Sequence, residues 1–440
     1  MKPRNLLIAA ILLAALSGAV WWSKRHPEAA QSTPATPSNP KLVDIPEAQI
    51  QSIDLKKKDG SVVAVERKGN KWAITQPQPY PTDQDAVNSL TSSLSPVSAD
   101  NLVEDKVTDF IKYGITTPSL NVTVHQKNGK TSDIVFGDDI PAGSLVYARV
   151  GNDPKVYAVS SSVKTSLDKS VNDLRDKRLL TFNSSNLSRI ELVSSKSDVE
   201  FGKSNANDWQ IIKPQPYRAD NFQVEELLRK LTDAKMDLST SADDAKKAEA
   251  AFASGQSIAS AKVSDTAGTQ TLDVHKSKDD YYAHSSSVKG AYKVSSDLGK
   301  ELEKTLDDFR NKKIFDFGFS DPTRIEVSGS PGDRTYTRSG TDWKLNSQVM
   351  DPGSVQAFID KLRDLAAAKF VTAPFSSSVM TVAVASNDGK RSERVEFAKT
   401  NDGYLARRGN EPALYQLDNK AVNDILEASK AIKPTASKKK

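Results

Sequence analysis

Two histidines in the second half of the chain, His275 and His284, come closest to the spacing of a metal site. They lie in adjacent predicted strands, and Asp279 and Asp280 stand at the turn between those strands. Two imidazoles and a carboxylate are a ligand set that binds divalent metals. Solvated hairpin residues explain the same pattern, and no related segment of the chain keeps both histidines. We therefore predict no metal site.

Adjacent carboxylates occur at Asp138-Asp139 and at Asp307-Asp308. General acid–base chemistry needs side chains placed within reach of one reacting group. Neighbours along a strand point to opposite faces of a sheet, so sequence adjacency argues against a shared proton or ion. Neither pair predicts a catalytic site.

Motifs for nucleotide and thiol chemistry are incomplete or missing. Gly129-Lys130-Thr131 and Gly202-Lys203-Ser204 end like a phosphate-binding loop, but Val124 and Ser197 replace its first glycine. The chain has no cysteine, which excludes disulfides, thiolate catalysis and cysteine-ligated metals. Its 61 basic and 56 acidic residues alternate along the chain and give a formal net charge of +5, which indicates no nucleic-acid surface. We predict a non-enzymatic protein without a cofactor.

Aromatic side chains form the remaining candidate site. Trp72 and Tyr80 lie in WAITQPQPYPTD, and Trp209 and Tyr217 lie in WQIIKPQPYRAD. An indole near a phenol can form a platform for a sugar or a peptide, so these four residues are the predicted binding residues. Core packing is the alternative, with each tryptophan under the following helix. We favour packing because Trp343 returns without the tyrosine.

These segments recur because the chain itself is repetitive. The tryptophans at 72, 209 and 343 stand about 135 residues apart, which is long enough for each unit to bury a core. The predicted repeats, named the first, second and third below, span 42–180, 181–315 and 316–433. The junction sequences 173–182 and 308–315 contain neither glycine nor proline, which predicts semi-rigid joints.

Each repeat shows the same order of elements. A meander of short strands ends at a bend, where the prolines at 77, 79 and 81 cannot donate a sheet hydrogen bond. An aspartate then stands at a helix N-cap, at Asp83, Asp220 or Asp351. More strands follow, joined by links too short for parallel crossovers. A second helix closes each repeat, around 163–175, 298–310 and 421–430. The predicted fold class is α+β, with mostly antiparallel sheets and two helices per repeat.

The N-terminal residues 1–25 predict a signal anchor that contacts the cell membrane through residues 5–22. Its apolar run of about 17 residues spans roughly 25 Å as a helix, the short end of a transmembrane segment. Ser17-Gly18-Ala19 also fits signal-peptidase cleavage. Trp21-Trp22 followed by Lys24 and Arg25 favours an uncleaved anchor.

Residues 26–41 are rich in Pro, Ala, Ser and Thr and predict a tether that holds the first repeat off the bilayer. Residues 434–440 form a basic tail. We expect a single-pass protein of the inner (cytoplasmic) membrane, with the bulk of the chain in the periplasm or outside the cell.

Several motifs resemble a known family. They are Tyr113-Gly114-Ile115-Thr116-Thr117-Pro118, Phe136-Gly137-Asp138, Val156-Tyr157 and the junction at 174–180. Together with the tryptophan strand and its Asp-capped helix, they are similar to the bacterial family called domain of unknown function 4340. The resemblance implies an N-terminal membrane segment and supplies no catalytic residues. Some similar proteins accompany auxiliary subunits of ABC-type transport systems of the gliding-motility kind.

Three functional hypotheses follow. We favour an exported, membrane-anchored interaction or scaffold protein with a protein partner in the envelope, serving a transport or envelope complex. The second hypothesis is a ligand- or glycan-binding protein that uses the Trp/Tyr bends. The third is a hydrolase with an unrecognised site.

Overall fold

A computed structural model describes residues 39–141, 143–204, 208–238, 242–318, 322–329, 332–409 and 411–436. The predicted signal anchor, the tether up to residue 38 and the last four residues of the basic tail lie outside this part of the chain. Within it, every helix is too short or too polar to cross a membrane. The chain divides into two compact units, Met1–Asp176 and Lys177–Lys440.

The first repeat contains an eight-stranded antiparallel sheet and a separate two-stranded sheet. Its strands are β1 (Lys41–Val43), β2 (Ile50–Lys57), β3 (Val62–Lys68), β4 (Lys71–Gln76), β5 (Val97–Ser98), β6 (Asn101–Glu104), β7 (Leu120–Gln126), β8 (Thr131–Asp139), β9 (Leu145–Val150) and β10 (Val156–Ser160). The sheet has the order β4-β3-β2-β7-β8-β9-β10-β6. Strand β1 pairs separately with β5, so the start of the repeat is tied to the segment after its first helix.

The second repeat has the same central order of strands but differs at the edges of its sheet. Its strands are β11 (Arg189–Ser194), β12 (Asp198–Lys203), β13 (Trp209–Lys213), β14 (Tyr217–Arg218), β15 (Gln256–Asp265), β16 (Gly268–Ser277), β17 (Asp280–Ser285) and β18 (Ala291–Val294). They follow the order β14-β13-β12-β11-β15-β16-β17-β18.

The third repeat keeps this arrangement. Its strands are β19 (Arg324–Gly329), β20 (Arg334–Ser339), β21 (Asp342–Leu345), β22 (Gln348–Met350), β23 (Lys369–Val371), β24 (Met380–Ser386), β25 (Arg391–Thr400), β26 (Gly403–Arg408) and β27 (Leu414–Leu417). The order is β22-β21-β20-β19-β24-β25-β26-β27-β23. In each sheet the two meanders join along one central antiparallel pair, such as β2 with β7 or β19 with β24.

Helices pack against these sheets. They are α1 (Gln84–Ser92), α2 (Ser161–Leu167), α3 (Val171–Leu174), α4 (Asn221–Thr232), α5 (Ala242–Ser254), α6 (Ser296–Leu302), α7 (Leu306–Phe309), α8 (Pro352–Asp364) and α9 (Asn419–Ala431). The three predicted N-cap aspartates cap α1, α4 and α8 by accepting backbone N–H bonds of the first turn. Each of these helices buries an apolar stripe; the buried residues are Val87 and Leu90, then Val224, Leu227, Leu228 and Leu231, then Val355, Phe358, Ile359 and Leu362.

The α+β class with antiparallel sheets is confirmed, but the helices differ from the prediction in two ways. The closing helices around 163–175 and 298–310 are each broken in two, as α2 and α3 and as α6 and α7. A capping box causes the second start in each case, because Ser170 pairs with Asp173 and Thr305 pairs with Asp308.

Helix α5 of the second repeat was not predicted. Its sequence, ADDAKKAEAAFAS, favours a helix through Ala, Lys and Glu but lacks a wide apolar stripe. It contacts β16, β17 and β18. Among the described residues, the expectation of two α-helices per repeat is therefore right for the third repeat and wrong for the first and second.

Candidate functional site

The predicted binding tryptophans lie in the cores of their repeats. Trp72 and Trp209 are each 3% exposed. Their backbone N–H groups donate to side chains at the start of the next helix, Trp72 to Gln84 at 2.7 Å and Trp209 to Asn221 at 2.8 Å. The indole N–H of Trp209 also donates to Glu225, on helix α4, at 2.6 Å. These contacts attach the third strand of each meander to the helix above it.

The predicted binding tyrosines lie at the margins of those cores, partly buried, rather than beside the indoles on an exposed face. The Arg175 guanidinium stacks on Tyr80, with 4.6 Å from its carbon to the ring centre, and Arg310 stacks on Tyr217 at 4.1 Å. Each arginine belongs to the junction that leaves the same repeat. Both tyrosines therefore hold a junction, and a role for the four aromatic residues in ligand binding stays a prediction.

A backbone bond repeats this junction contact in every repeat. The N–H of the N-cap aspartate donates to the carbonyl of a residue at the end of the closing helix or just after it. The pairs are Asp83 with Leu174 at 2.9 Å, Asp220 with Phe309 at 2.8 Å and Asp351 with Lys433 at 2.8 Å. Bend and junction thus form one element, the junction clasp, at the same place in each repeat.

In the second repeat the clasp reaches into the third. Arg218 follows Tyr217 in the bend, and its Nε lies 2.9 Å from an Oε1 of Glu411. Its Nη1 lies 3.6 Å from Asp316, and its Nη2 donates to the Tyr415 hydroxyl at 3.3 Å and to the Lys313 carbonyl. A guanidinium presents five donors in a planar fork, which suits this group of acceptors.

The second arginine of the clasp lies between two aromatic rings. Arg310 is 8% exposed, and its guanidinium carbon lies 3.5 Å from the ring centre of Phe370 in the third repeat. Its other face covers Tyr217 of the second repeat. The cation–π interaction stabilises a cation more when the cation is shielded from water than when it is exposed. We call Asp316, Phe370, Glu411 and Tyr415 the receiving face of the third repeat.

A buried ion network supports this face from behind. Arg408 and Glu393 are 8% and 5% exposed, and their side chains bond at 2.9 Å. Arg408 also donates to Glu411 at 2.7 Å and to the Ile314 carbonyl, while Glu393 accepts the backbone N–H of Asp316 at 3.1 Å. The network therefore holds both Glu411 and the junction segment at Ile314 and Asp316 in place.

Electrostatics keep the receiving face charged. Burial opposes ionisation of Glu411, but Arg218 and Arg408 outweigh it and hold the pKa of this carboxyl below its usual value. Burial raises the pKa of the Tyr415 hydroxyl, which donates to Glu411 at 2.5 Å. At neutral pH Glu411 therefore presents a carboxylate to the arginine, and Tyr415 presents a protonated phenol.

The two predicted hairpin histidines are engaged by helix α5. Phe252 stacks on His275 and on His284, with ring centres 4.0 Å and 4.4 Å apart. His275 Nδ1 lies 2.7 Å from the Phe252 carbonyl, and His284 Nε2 lies 3.1 Å from Glu249. In the part of the chain that the structure describes, no group of three acidic or histidine side chains is placed to hold a metal ion.

The adjacent carboxylates serve local structure. Asp307 and Asp308 lie on helix α7 rather than on a strand: Asp308 accepts the N–H of Thr305 at 2.8 Å, and Asp307 accepts from Arg310 at 3.0 Å. At the end of β8, Asp139 is exposed and lies 3.7 Å from Lys164.

Arg218, Arg310, Asp316 and Glu411 were not singled out from the sequence. One signal was present: Arg218 replaces Pro81 at the same position of the bend. A second was the related pair of loops GNDPKVY at 151–157 and GNEPALY at 409–415, which carry an acid four residues before a tyrosine. Neither signal shows which repeat the arginine contacts.

Comparison with known proteins gives one match. The profile of a family described as "Domain of unknown function (DUF4340)" matches residues 72–207 and 209–382, so that the matched segments begin at Trp72 and at Trp209. No curated protein and no solved structure matches the chain. The matched residues make up more than half of the chain and confirm the resemblance seen in its motifs, so this protein belongs to the DUF4340 family.

Proposed function

We propose that this protein is a membrane-anchored, exported scaffold whose tandem repeats present binding surfaces to protein partners in the cell envelope. The observation that carries the proposal is the docking of the second repeat on the third through Arg218 and Arg310. Both repeats lie in one compact unit. Repeats docked in this way hold their outer surfaces at a fixed spacing, which is what a scaffold requires.

The linker between these repeats supports the same proposal, because it is pinned on both sides. Arg310 bridges to Ala219 of the second repeat, and Lys313, three residues later, bridges to Ala366 of the third. The Ile314 N–H donates to the Leu365 carbonyl at 2.9 Å. Few backbone torsions are left to vary, as the absence of glycine and proline in this junction led us to expect.

Anchoring is supported by the sequence and by the start of the first repeat. The apolar run at 5–22 is followed by basic residues and a proline-rich tether. Where the tether ends, the Pro40 carbonyl accepts the Ala99 N–H at 2.8 Å and β1 pairs with β5. The tether therefore meets the first repeat at a fixed point. In this proposal the bulk of the chain lies in the periplasm or outside the cell.

The proposal makes the protein an auxiliary component of a transport or envelope complex, in line with the family resemblance. Crosslinking of the full-length protein in intact cells, followed by mass spectrometry, should recover the same envelope protein in repeated experiments. The same spectra give the mature N-terminus and so decide whether the anchor is cleaved. A monomer under several crosslinkers of different length would count against a scaffold.

Topology is tested separately. Protease added to spheroplasts should degrade the repeats while a cytoplasmic marker protein stays intact. Protection of the repeats until the membrane is lysed would contradict export.

A further inference from the structure

The receiving face of the third repeat has a counterpart in the first. The segments 147–157, YARVGNDPKVY, and 405–415, LARRGNEPALY, align without a gap. Both form the last hairpin of their sheets, β9–β10 and β26–β27. The alignment places Asp153 at the position of Glu411 and Tyr157 at the position of Tyr415.

Strand register places the other two members of the face. Leu102 of β6 is opposite Tyr157, as Phe370 of β23 is opposite Tyr415. The segment that enters each repeat is held in the same way. The Pro40 carbonyl accepts the Ala99 N–H, and the Lys312 carbonyl accepts the Ala367 N–H, each at 2.8 Å. Asp44 and Asp316 stand four residues after Pro40 and Lys312. Asp44, Leu102, Asp153 and Tyr157 are therefore the receiving face of the first repeat.

The second repeat shows that the two acids are not a requirement of the fold. At the positions of Asp153 and Glu411 it has Val288, and at the positions of Asp44 and Asp316 it has Thr181. The last hairpin and the closing helices form there all the same, although the described residues of the second repeat pair no strand with β18 in the position of β6 and β23. In the third repeat these acids bind the guanidinium of Arg218. The acids of the third repeat thus serve the docked arginine, and the same two positions are acidic in the first repeat.

The receiving face of the first repeat is open to solvent. Leu102 and its neighbour Val103 are 44% and 40% exposed, whereas Phe370 is partly covered by Arg310. Asp44 pairs with Lys41 at 2.8 Å, but both side chains are more than half exposed, and such a pair contributes little and exchanges readily. Burial and the nearby Asp153 raise the pKa of Tyr157, so it presents a protonated hydroxyl, as Tyr415 does.

We propose that the receiving face of the first repeat binds a partner protein through an arginine that the partner presents beside an aromatic ring. Asp44 and Asp153 take the guanidinium in the way that Asp316 and Glu411 take that of Arg218. The exposed Leu102 gives the neighbouring ring an apolar surface, as the core of the third repeat does for Tyr217. Charge complementarity decides between occupants, because two acids on an apolar surface favour a cation that can also stack. This inference rests on the proposed scaffold function and names the partner chemistry of one surface.

The test places a photo-crosslinking phenylalanine analogue at position 102 of the full chain in intact cells. The same analogue at Phe222, which is 73% exposed in the second repeat, is the control position. We expect one adduct from position 102 and none of that mass from position 222. The partner peptide in the adduct, read by mass spectrometry, should contain an arginine next to an aromatic residue.

Charge dependence makes the test specific. Asp44→Asn together with Asp153→Asn should lower the yield of the adduct at least about tenfold, because the guanidinium of the partner then loses both of its counter-charges. Asp139→Asn, at a carboxylate that is 77% exposed in the same repeat, is the matched control and should leave the yield unchanged. Unchanged thermal unfolding of the double variant excludes loss of fold.

Four results would overturn the inference: no adduct at position 102, an adduct insensitive to the two Asp variants, an adduct with residues 1–38 of this chain, or one with a second copy. If crosslinkers trap an envelope partner at other positions but position 102 gives no adduct, the receiving face of the first repeat is not a binding site, and the proposed scaffold function still holds. Failure at every position would remove the scaffold function itself.

Discussion

The guanidinium of Arg218 in the second repeat lies 2.9 Å from the carboxylate of Glu411 in the third. Both side chains are at least four-fifths shielded from solvent, at 20% and 16% exposure. A buried ion pair adds less to stability than its Coulomb energy suggests, because both ions lose water. Removal of one partner leaves the other with part of its counter-charge only, Glu411 with Arg408 and Arg218 with Asp316, so the pair favours one way of docking the two repeats.

Replacing Tyr217 separates packing from ligand binding. Tyr217→Phe keeps a ring under Arg310 and should change the free energy of unfolding by less than about 0.5 kcal/mol. Tyr217→Ala removes the ring and should lower it by about 2 kcal/mol, less than a fully buried aromatic because Tyr217 is only partly covered. Chemical denaturation followed by tryptophan fluorescence measures both values.

The exposed Phe222, replaced by Ala, is the control for this prediction and should have little effect. If the bends bind a glycan or another ligand instead, Tyr217→Ala would abolish a ligand-induced thermal shift without loss of stability. The same comparison applies to Tyr80, which stacks on Arg175 in the first unit.

Acidification should weaken the unit formed by the second and third repeats. The pKa of Glu411 is lowered in the folded chain by Arg218 and Arg408, against the effect of burial. A group with a lowered folded pKa contributes stability that is complete above its ordinary value of 4.5 and is lost as pH falls through the folded value. Below about pH 4.5, the free energy of unfolding should therefore decrease.

Glu411→Gln removes the titrating group. This variant should be less stable than the parent at pH 7 and should show a shallower decrease between pH 4.5 and pH 3. Denaturation midpoints at a series of pH values provide the measurement. Parallel profiles for the parent and the variant would show that Glu411 does not carry the effect.

Helix α5 should depend on a single aromatic contact. Phe252 stacks on His275 and His284, and Glu249 accepts the Ala291 N–H at 2.8 Å, so that both contacts fasten the helix to the sheet. Phe252→Ala should raise amide exchange across residues 242–254 at least about tenfold, since local opening costs less without the ring. Hydrogen exchange with mass spectrometry reports each peptide.

Exchange in the core strands β15 and β16 should stay within about twofold of the parent, because α5 covers the sheet from outside. Faster exchange in those strands as well would mean that α5 is part of the cooperative core rather than a local cover.

In each repeat an aromatic ring covers the same position on the outer face of the sheet, in the second strand from the end of the second meander. Arg149 lies 4.1 Å from the ring centre of Phe110 in the first repeat, and Arg407 lies 4.4 Å from that of Phe375 in the third. His284 occupies the matching strand position in the second repeat and stacks on Phe252. The segments that supply the rings share no fold, yet they shield the same point of the sheet.

The fold was predictable where local chemistry decides it. Proline bends stop strands, an aspartate before an apolar stripe starts a helix, and the tryptophan that recurs about every 135 residues reveals the copies. The broken closing helices were not foreseen, because Ser170 and Thr305 restart the helix through side-chain bonds that apolar spacing does not reveal.

The contact between the repeats was beyond the sequence for a different reason. Arg218 is one of many arginines, and its importance comes from its contacts with Glu411, Asp316 and Tyr415, across two repeats with separate hydrophobic cores. The local secondary-structure propensity of a residue does not predict contacts between side chains of different repeats. The tyrosine bend was visible as a motif, but its partner, Arg310, became evident only from the geometry.

A double-mutant cycle on Arg218 and Glu411 tests most directly whether the second and third repeats are held together by the arginine clasp. The variants Arg218→Gln, Glu411→Gln and their combination are compared with the parent by chemical denaturation, with the exposed pair Arg229 and Glu226 as the control cycle. We expect a coupling free energy of about 1.5–3 kcal/mol for the first pair and at most about 0.5 kcal/mol for the control. Additive effects of Arg218→Gln and Glu411→Gln, within about 0.3 kcal/mol, would contradict docking through this contact.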